Sequence, residues 1–193
     1  SGEFSQLNAE ERKTIARFAI DHVDRRVPVL IGTGGTNARE TIELSQHAQQ
    51  AGADGIVVIN PYYWKVSEAN LIRYFEQVAD SVTLPVMLYN FPALTGQDLT
   101  PALVKTLADS RSNIIGIKDA GDSARIPELI SVADKKIYVY AGGEIDLDKK
   151  IALGANRLSS MAGNLYPSEV EAYFTDLLRG RADKIKNAGI EEK

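Results

Sequence analysis

A lysine closes one apolar run of the chain, NIIGIK at 113–118, and a tyrosine sits near the end of the run before it, PVMLYN at 85–90. Lysine is rarely buried without a partner or a task. In an apolar strand end the charged ammonium is disfavoured, which would leave the Lys118 amine able to act as a nucleophile. The bland alternative is a strand that has reached the surface. Tyr89 offers a hydroxyl that can move protons on and off a carbinolamine or a substrate hydroxyl; its bland alternative is a rim tyrosine. Ends of neighbouring strands lie about 5 Å apart, so the pair is more specific than either residue. Asp119 points away from Lys118 by strand alternation and is expected to cap the following turn.

Other positions carry weaker signals. Ser1 and Gly2 stand where a helix N-terminus would favour an anion such as a carboxylate. Gly142 and Gly143 follow a strand-like run, which fits either close approach to a ligand or a turn. PYYW at 61–64 packs three aromatic residues into a loop, as loop packing or, the favoured reading, a subunit interface.

The elements that must hold these residues alternate along the chain. Strand-like runs cover 27–32, 55–60, 85–90, 113–118, 137–141 and 156–161, with amphipathic helical stretches between them. Helix caps are legible: Asn8 with Glu11, Asn37 with Glu40, Ser67, and Thr100 followed by Pro101, with Gly52 as a stop. Strand starts recur about every 20 to 30 residues, the length of a βα unit with its loops. This spacing predicts parallel strands with crossover helices. GTGGTN at 32–37 has neither the spacing of a dinucleotide fingerprint nor the lysine of a P-loop. Thr33, Thr36, Tyr62, Tyr63, Tyr89, Lys118, Glu144, Ser159 and Ser160 gather instead at strand C-termini, the end where barrel enzymes carry their chemistry. The prediction is an α/β fold, a (βα)8 TIM barrel, with residues 1–193 forming one partial domain. A full barrel takes about 250 residues. A loop and helix open the chain with no strand before them, so the first strand-helix-strand is expected to be what is lacking.

Bulk properties narrow the function. The 193 residues carry a formal charge of −4, which offers no basic face for nucleic acid and no polybasic membrane patch. No run is long enough to span a membrane and no signal peptide is apparent. The chain has no cysteine and two histidines, His22 and His47, both in helical stretches, so no metal site is expected. A cytoplasmic setting fits.

Taken in order, Ser1-Gly2-Glu3, GTGGTN, NPYYW, YNFPALTG, GIKDA, AGGE and SSMAGN resemble the dihydrodipicolinate synthase and N-acetylneuraminate lyase superfamily over essentially the whole chain. These are Schiff-base-forming, pyruvate-dependent aldolases on a (βα)8 barrel, and the chain most resembles those acting on 2-keto-3-deoxygluconate or a related 2-keto-3-deoxy sugar acid. The resemblance implies that Lys118 forms the imine with pyruvate or a 2-keto acid and that Tyr89 transfers protons. It implies that Tyr63 reaches the site of a neighbouring subunit, and that Ser1 and Gly2 end a carboxylate-binding loop. Gly142 and Ser159 would line the pocket. It implies no cofactor, and a homodimer or homotetramer. The synthases carry an arginine five residues after the tyrosine to hold a second carboxylate. Leu94 occupies that position here, which demotes the synthase reading and leaves the sialic acid lyases open. The competing expectation is an inactive fragment or hybrid of such a barrel, with the lysine present and the site incomplete.

Overall fold

The computed structural model describes residues 2–133 and 137–181. Five parallel strands lie side by side in chain order: β1 (Leu30–Gly32), β2 (Gly55–Ile59), β3 (Val86–Asn90), β4 (Ile114–Asp119) and β5 (Tyr138–Ala141). Helices α1 (Ala9–Val23), α2 (Ala38–Ala51), α3 (Glu68–Asp80), α4 (Pro92–Thr95), α5 (Pro101–Ser110), α6 (Ile126–Ala133), α7 (Leu147–Ala152) and α8 (Pro167–Leu178) alternate with and follow them. This is the βα repeat of a barrel wall, as the spacing predicted.

The caps explain where the helices begin. Asn8 and Glu11 close a complete capping box on α1. Asn37 accepts from the Glu40 amide at 3.2 Å, but the Glu40 carboxylate turns to Arg12 instead of closing the box. Ser67 and Thr100 each accept from the amide three residues on. Gly52 stops α2 at φ 93°, a backbone region where a side chain would be strained.

Strand alternation splits the sheet into two faces. Ile56, Val58, Val86, Leu88, Ile117 and Val139 pack against Leu71, Phe75, Val78, Leu103, Val104, Leu107 and Leu129 of the helices and form the main core. The other face turns its side chains to an open cavity.

Two strand expectations are corrected. The run at 27–32 shortens to β1 because Pro28 has no amide to donate and the Val29 amide goes to the Asp54 carboxylate at 2.8 Å. The run at 156–161 is not a strand: it makes a single parallel bridge, Leu158 to Ala141, flanked by hydrogen bonds from Ala141 to the Arg157 carbonyl and from Ser159 to the Ala141 carbonyl. Beyond it, the Ser160 hydroxyl donates to Glu144 and accepts from the Gly163 amide, which curls the chain out of the sheet.

Candidate active site

Tyr89 on β3 and Lys118 on β4 are register partners, so their side chains leave the same face from neighbouring strands. Lys118 Nζ lies over the Tyr89 ring, 4.4 Å from its centroid. Both line a cavity of about 200 Å³ together with Phe4, Arg12, Gly34, Ile59 and Ser159. Burial pushes the Lys118 ammonium below its ordinary pKa, opposed in part by the Glu144 carboxylate. Burial pushes the Tyr89 phenol above its ordinary value, so it keeps its proton at neutral pH. An amine that gives up its proton more readily than an exposed lysine and a protonated phenol then face the same cavity.

Surrounding elements hold the cavity wall. The Tyr74 hydroxyl on α3 touches Thr41, the Gly35 carbonyl and the Ile59 carbonyl, fastening the 32–37 loop to the end of β2. Its own pKa is pushed up to about 12 by burial, so it acts as a neutral strut. Glu144 accepts from the Ser160 hydroxyl and the Met161 amide.

The remaining expected residues fall in different places. Ser159 lines the cavity. Gly142 approaches protein closely: a Cβ there would meet Ala120 Cβ, the Ala120 amide nitrogen and the Asp119 carbonyl at 2.8 Å each. Gly2 is exposed at φ 64° and is not among the residues that line the cavity, whereas Phe4 is. Ser1 lies outside the described residues. Tyr63 is 84% exposed, edge-on to Trp64, with a left-handed φ of 80°, so its own chain does not bring it to Lys118. Asp119 is buried on the helix side of the sheet. It meets the following turn through the Gly121 amide, and its main hydrogen-bond partner is Asn90 at 2.7 Å. Leu94 lines a second cavity of about 230 Å³, with Tyr62, Tyr89 and Phe91.

Arg12 escaped the sequence reading. Its guanidinium donates to the carbonyls of Gly32 and Gly34 at 3.0 Å, stacks over Phe4 and lies 3.8 Å from Glu40. Burial works against its charge and Glu40 offsets part of that. A signal was present: Arg12, buried Ala16 and core-packed Ile20 share one face of α1 at four-residue spacing.

A family model described as the dihydrodipicolinate synthetase family matches residues 1–191. Two curated relatives come from Escherichia coli (strain K12), and each aligns over 86% of this chain and 56% of its own length. YagE, named provisionally as a 2-dehydro-3-deoxy-D-gluconate aldolase, is 76% identical. YjhH, named provisionally as a 2-dehydro-3-deoxy-D-pentonate aldolase, is 48% identical. The crystal structure of YagE in complex with pyruvate, described as a prophage protein of the dihydrodipicolinic acid synthase family, superposes with a TM-score of 0.89 at 68% identity, covering 97% of this chain and 64% of that one. The chain thus spans a little over half the length of the curated relatives it matches.

Proposed function

From the premise that this chain belongs to the dihydrodipicolinate synthetase family, we propose that its cavity is the site of a Schiff-base aldolase that cleaves a 2-keto-3-deoxy sugar acid into pyruvate and an aldehyde. The observation that carries the reading is the half-buried Lys118 amine over the Tyr89 ring in a cavity open to a small ligand.

The chemistry follows from the two pKa directions. The neutral Lys118 amine attacks the ketone carbon of the substrate, and the carbinolamine loses water to give an imine. Once protonated, the imine accepts the electron pair of the breaking carbon–carbon bond more readily than a ketone does. Tyr89, protonated at rest, gives its proton to the hydroxyl that leaves the carbinolamine as water, and the phenolate so formed takes the proton of the substrate hydroxyl as the aldehyde leaves. The enamine left on Lys118 is protonated at carbon, and hydrolysis of the resulting imine releases pyruvate and the free amine. Leu94, in place of an arginine, removes the cation a second carboxylate would need, which favours a sugar acid over the synthase substrates. The resemblance adds a homo-oligomer in which the exposed Tyr63 serves a neighbouring copy, and the lack of cysteine suits the cytoplasm.

The exposed placement of Gly2 favours a second reading, pyruvate binding without turnover, because Gly2, expected in the carboxylate-binding loop, is not among the residues lining the cavity. Borohydride reduction in the presence of pyruvate, followed by intact mass and peptide mapping, tests the main reading. A pyruvate-sized adduct on Lys118, absent in Lys118→Ala, is the expected result. No adduct on folded protein rejects both readings. An adduct without release of pyruvate from any 2-keto-3-deoxy sugar acid selects the second.

A further inference from the structure

One residue beyond Lys118 and Tyr89 in each strand, the sheet makes a second pair on its opposite face. Tyr89 pairs with Lys118, and Asn90 pairs with Asp119, in consecutive register. Asn90 is fully buried, and its Nδ2 donates to Asp119 at 2.7 Å and to Asp98 at 2.8 Å. Its Oδ1 accepts from the Leu99 amide at 2.9 Å. The main chain adds two ties: Ala120 donates to the Asn90 carbonyl at 2.9 Å, and Gly142 donates to the Asp119 carbonyl at 2.7 Å. Three strand ends are therefore stitched together around Asp119.

Asp119 is only 1% exposed. Arg125, in the turn before α6, donates to Asp98 and to the Leu99 carbonyl, and its Nε lies 3.7 Å from Asp119 Oδ1. Lys150 on α7, 5% exposed, also faces Asp119, along with Asp146 and Glu144. Asp119 Oδ2 and Arg125 Nε are buried without a hydrogen-bond partner among the described residues. Buried charges of this kind rarely improve stability over an apolar filling, and unsatisfied groups concentrate where a structure serves a purpose other than packing.

We propose that Asp119, clasped by Asn90 and Arg125 on the helix side of the sheet, is a positioning residue that sets where Lys118 and Tyr89 stand in the cavity. This rests on the aldolase reading of the same site. The strand backbone carries the effect: the clasp fixes the ends of β3 and β4 against each other, and the alternate residues on the cavity side inherit that register. Loosening it releases the Lys118 amine toward water, where the ammonium is favoured. Lys118 is faced by Tyr89 from β3 and Glu144 from the loop after β5, with Arg12 of α1 in the same cavity wall.

The test measures borohydride trapping of pyruvate by the full chain across about pH 6 to 10, for the unsubstituted protein, Asp119→Asn, Arg125→Met and Arg125→Lys, with thermal midpoints as a control. Asp119→Asn keeps the shape and the Asn90 contact but removes the charge. The expected result is a trapping rate at neutral pH about tenfold lower and a half-maximal pH higher by about one unit. Arg125→Met should move both in the same direction, and Arg125→Lys should restore most of the loss. If Asp119→Asn does not fold, Arg125→Met, which leaves both strands untouched, decides alone. A lowered thermal midpoint with an unchanged rate and pH profile marks a purely structural clasp and overturns the proposal. No adduct with the unsubstituted chain removes the aldolase reading and this one together, whereas an adduct unaffected by the substitutions removes only the positioning role.

Discussion

In the proposed aldolase Lys118 and Tyr89 would divide the labour through opposite pKa directions with one cause, burial. Tyr89→Phe keeps the ring beneath the amine and removes only the proton carrier. Pyruvate trapping on Lys118 should persist while sugar-acid cleavage falls by about 10²- to 10⁴-fold, the range for loss of a general acid–base group. Steady-state assay beside adduct mass separates the two. Lys118 also bears on stability. Its folded pKa lies below the unfolded value of about 10.5, so the unfolded chain binds more protons between the two. The penalty of holding the ammonium is therefore present at neutral pH and fades as pH rises through that window. Lys118→Met should raise the thermal midpoint at neutral pH, with the gain shrinking toward pH ~10; a scan of melting temperature against pH reads it.

At the scale of elements, the capped helices and apolar strands were legible because each rests on local chemistry. The Asn8 capping box, the Thr100 cap with Pro101 and the Gly52 stop act within one turn. What failed was long-range. Pro28 and the Asp54 carboxylate shorten β1, and Ser160, drawn to Glu144, takes 159–161 away from β5. Gly142 illustrates the same limit: a glycine after a strand announces close approach, but only the packed loop shows that Asp119 and Ala120 are what it approaches. Gly142→Ala places a Cβ 2.8 Å from that backbone and should cost about 1–3 kcal/mol, as overpacking does, in a denaturant titration.

Across the whole molecule the sheet is one-sided in its packing. The helix face holds the main core, while the cavity face carries Val57, Ile59, Tyr89 and Lys118. Parallel sheets are ordinarily covered on both faces. Exposed apolar side chains collect elsewhere too, with Phe18 on α1 and the Tyr63–Trp64 pair after β2 standing in solvent. No helix among the described residues is long and apolar enough to cross a membrane. The proposed self-association through the aromatic loop would cover Tyr63, which is 84% exposed, held at φ 80° and edge-on to Trp64. Light scattering should give a mass above the 21.1 kDa of one chain, and Tyr63→Ala should shift the distribution toward the monomer and slow pyruvate trapping, since Tyr63 is proposed to serve the neighbouring copy's site.

The sequence by itself determined the βα alternation, the order of the strands and the lysine–tyrosine pair. Hydrophobic periodicity and caps are short-range, and parallel neighbours place equivalent strand ends together. It could not say that Arg12 enters the cavity wall, that Gly2 is not among the residues lining it, or that Asp119 turns from a simple turn cap into the centre of a buried clasp. Those outcomes depend on which groups compete for the same partners. Asn90 and Asp98 lie far along the chain from Asp119 and Arg125, and only the packed sheet ends set the two pairs within hydrogen-bond and ion-pair reach.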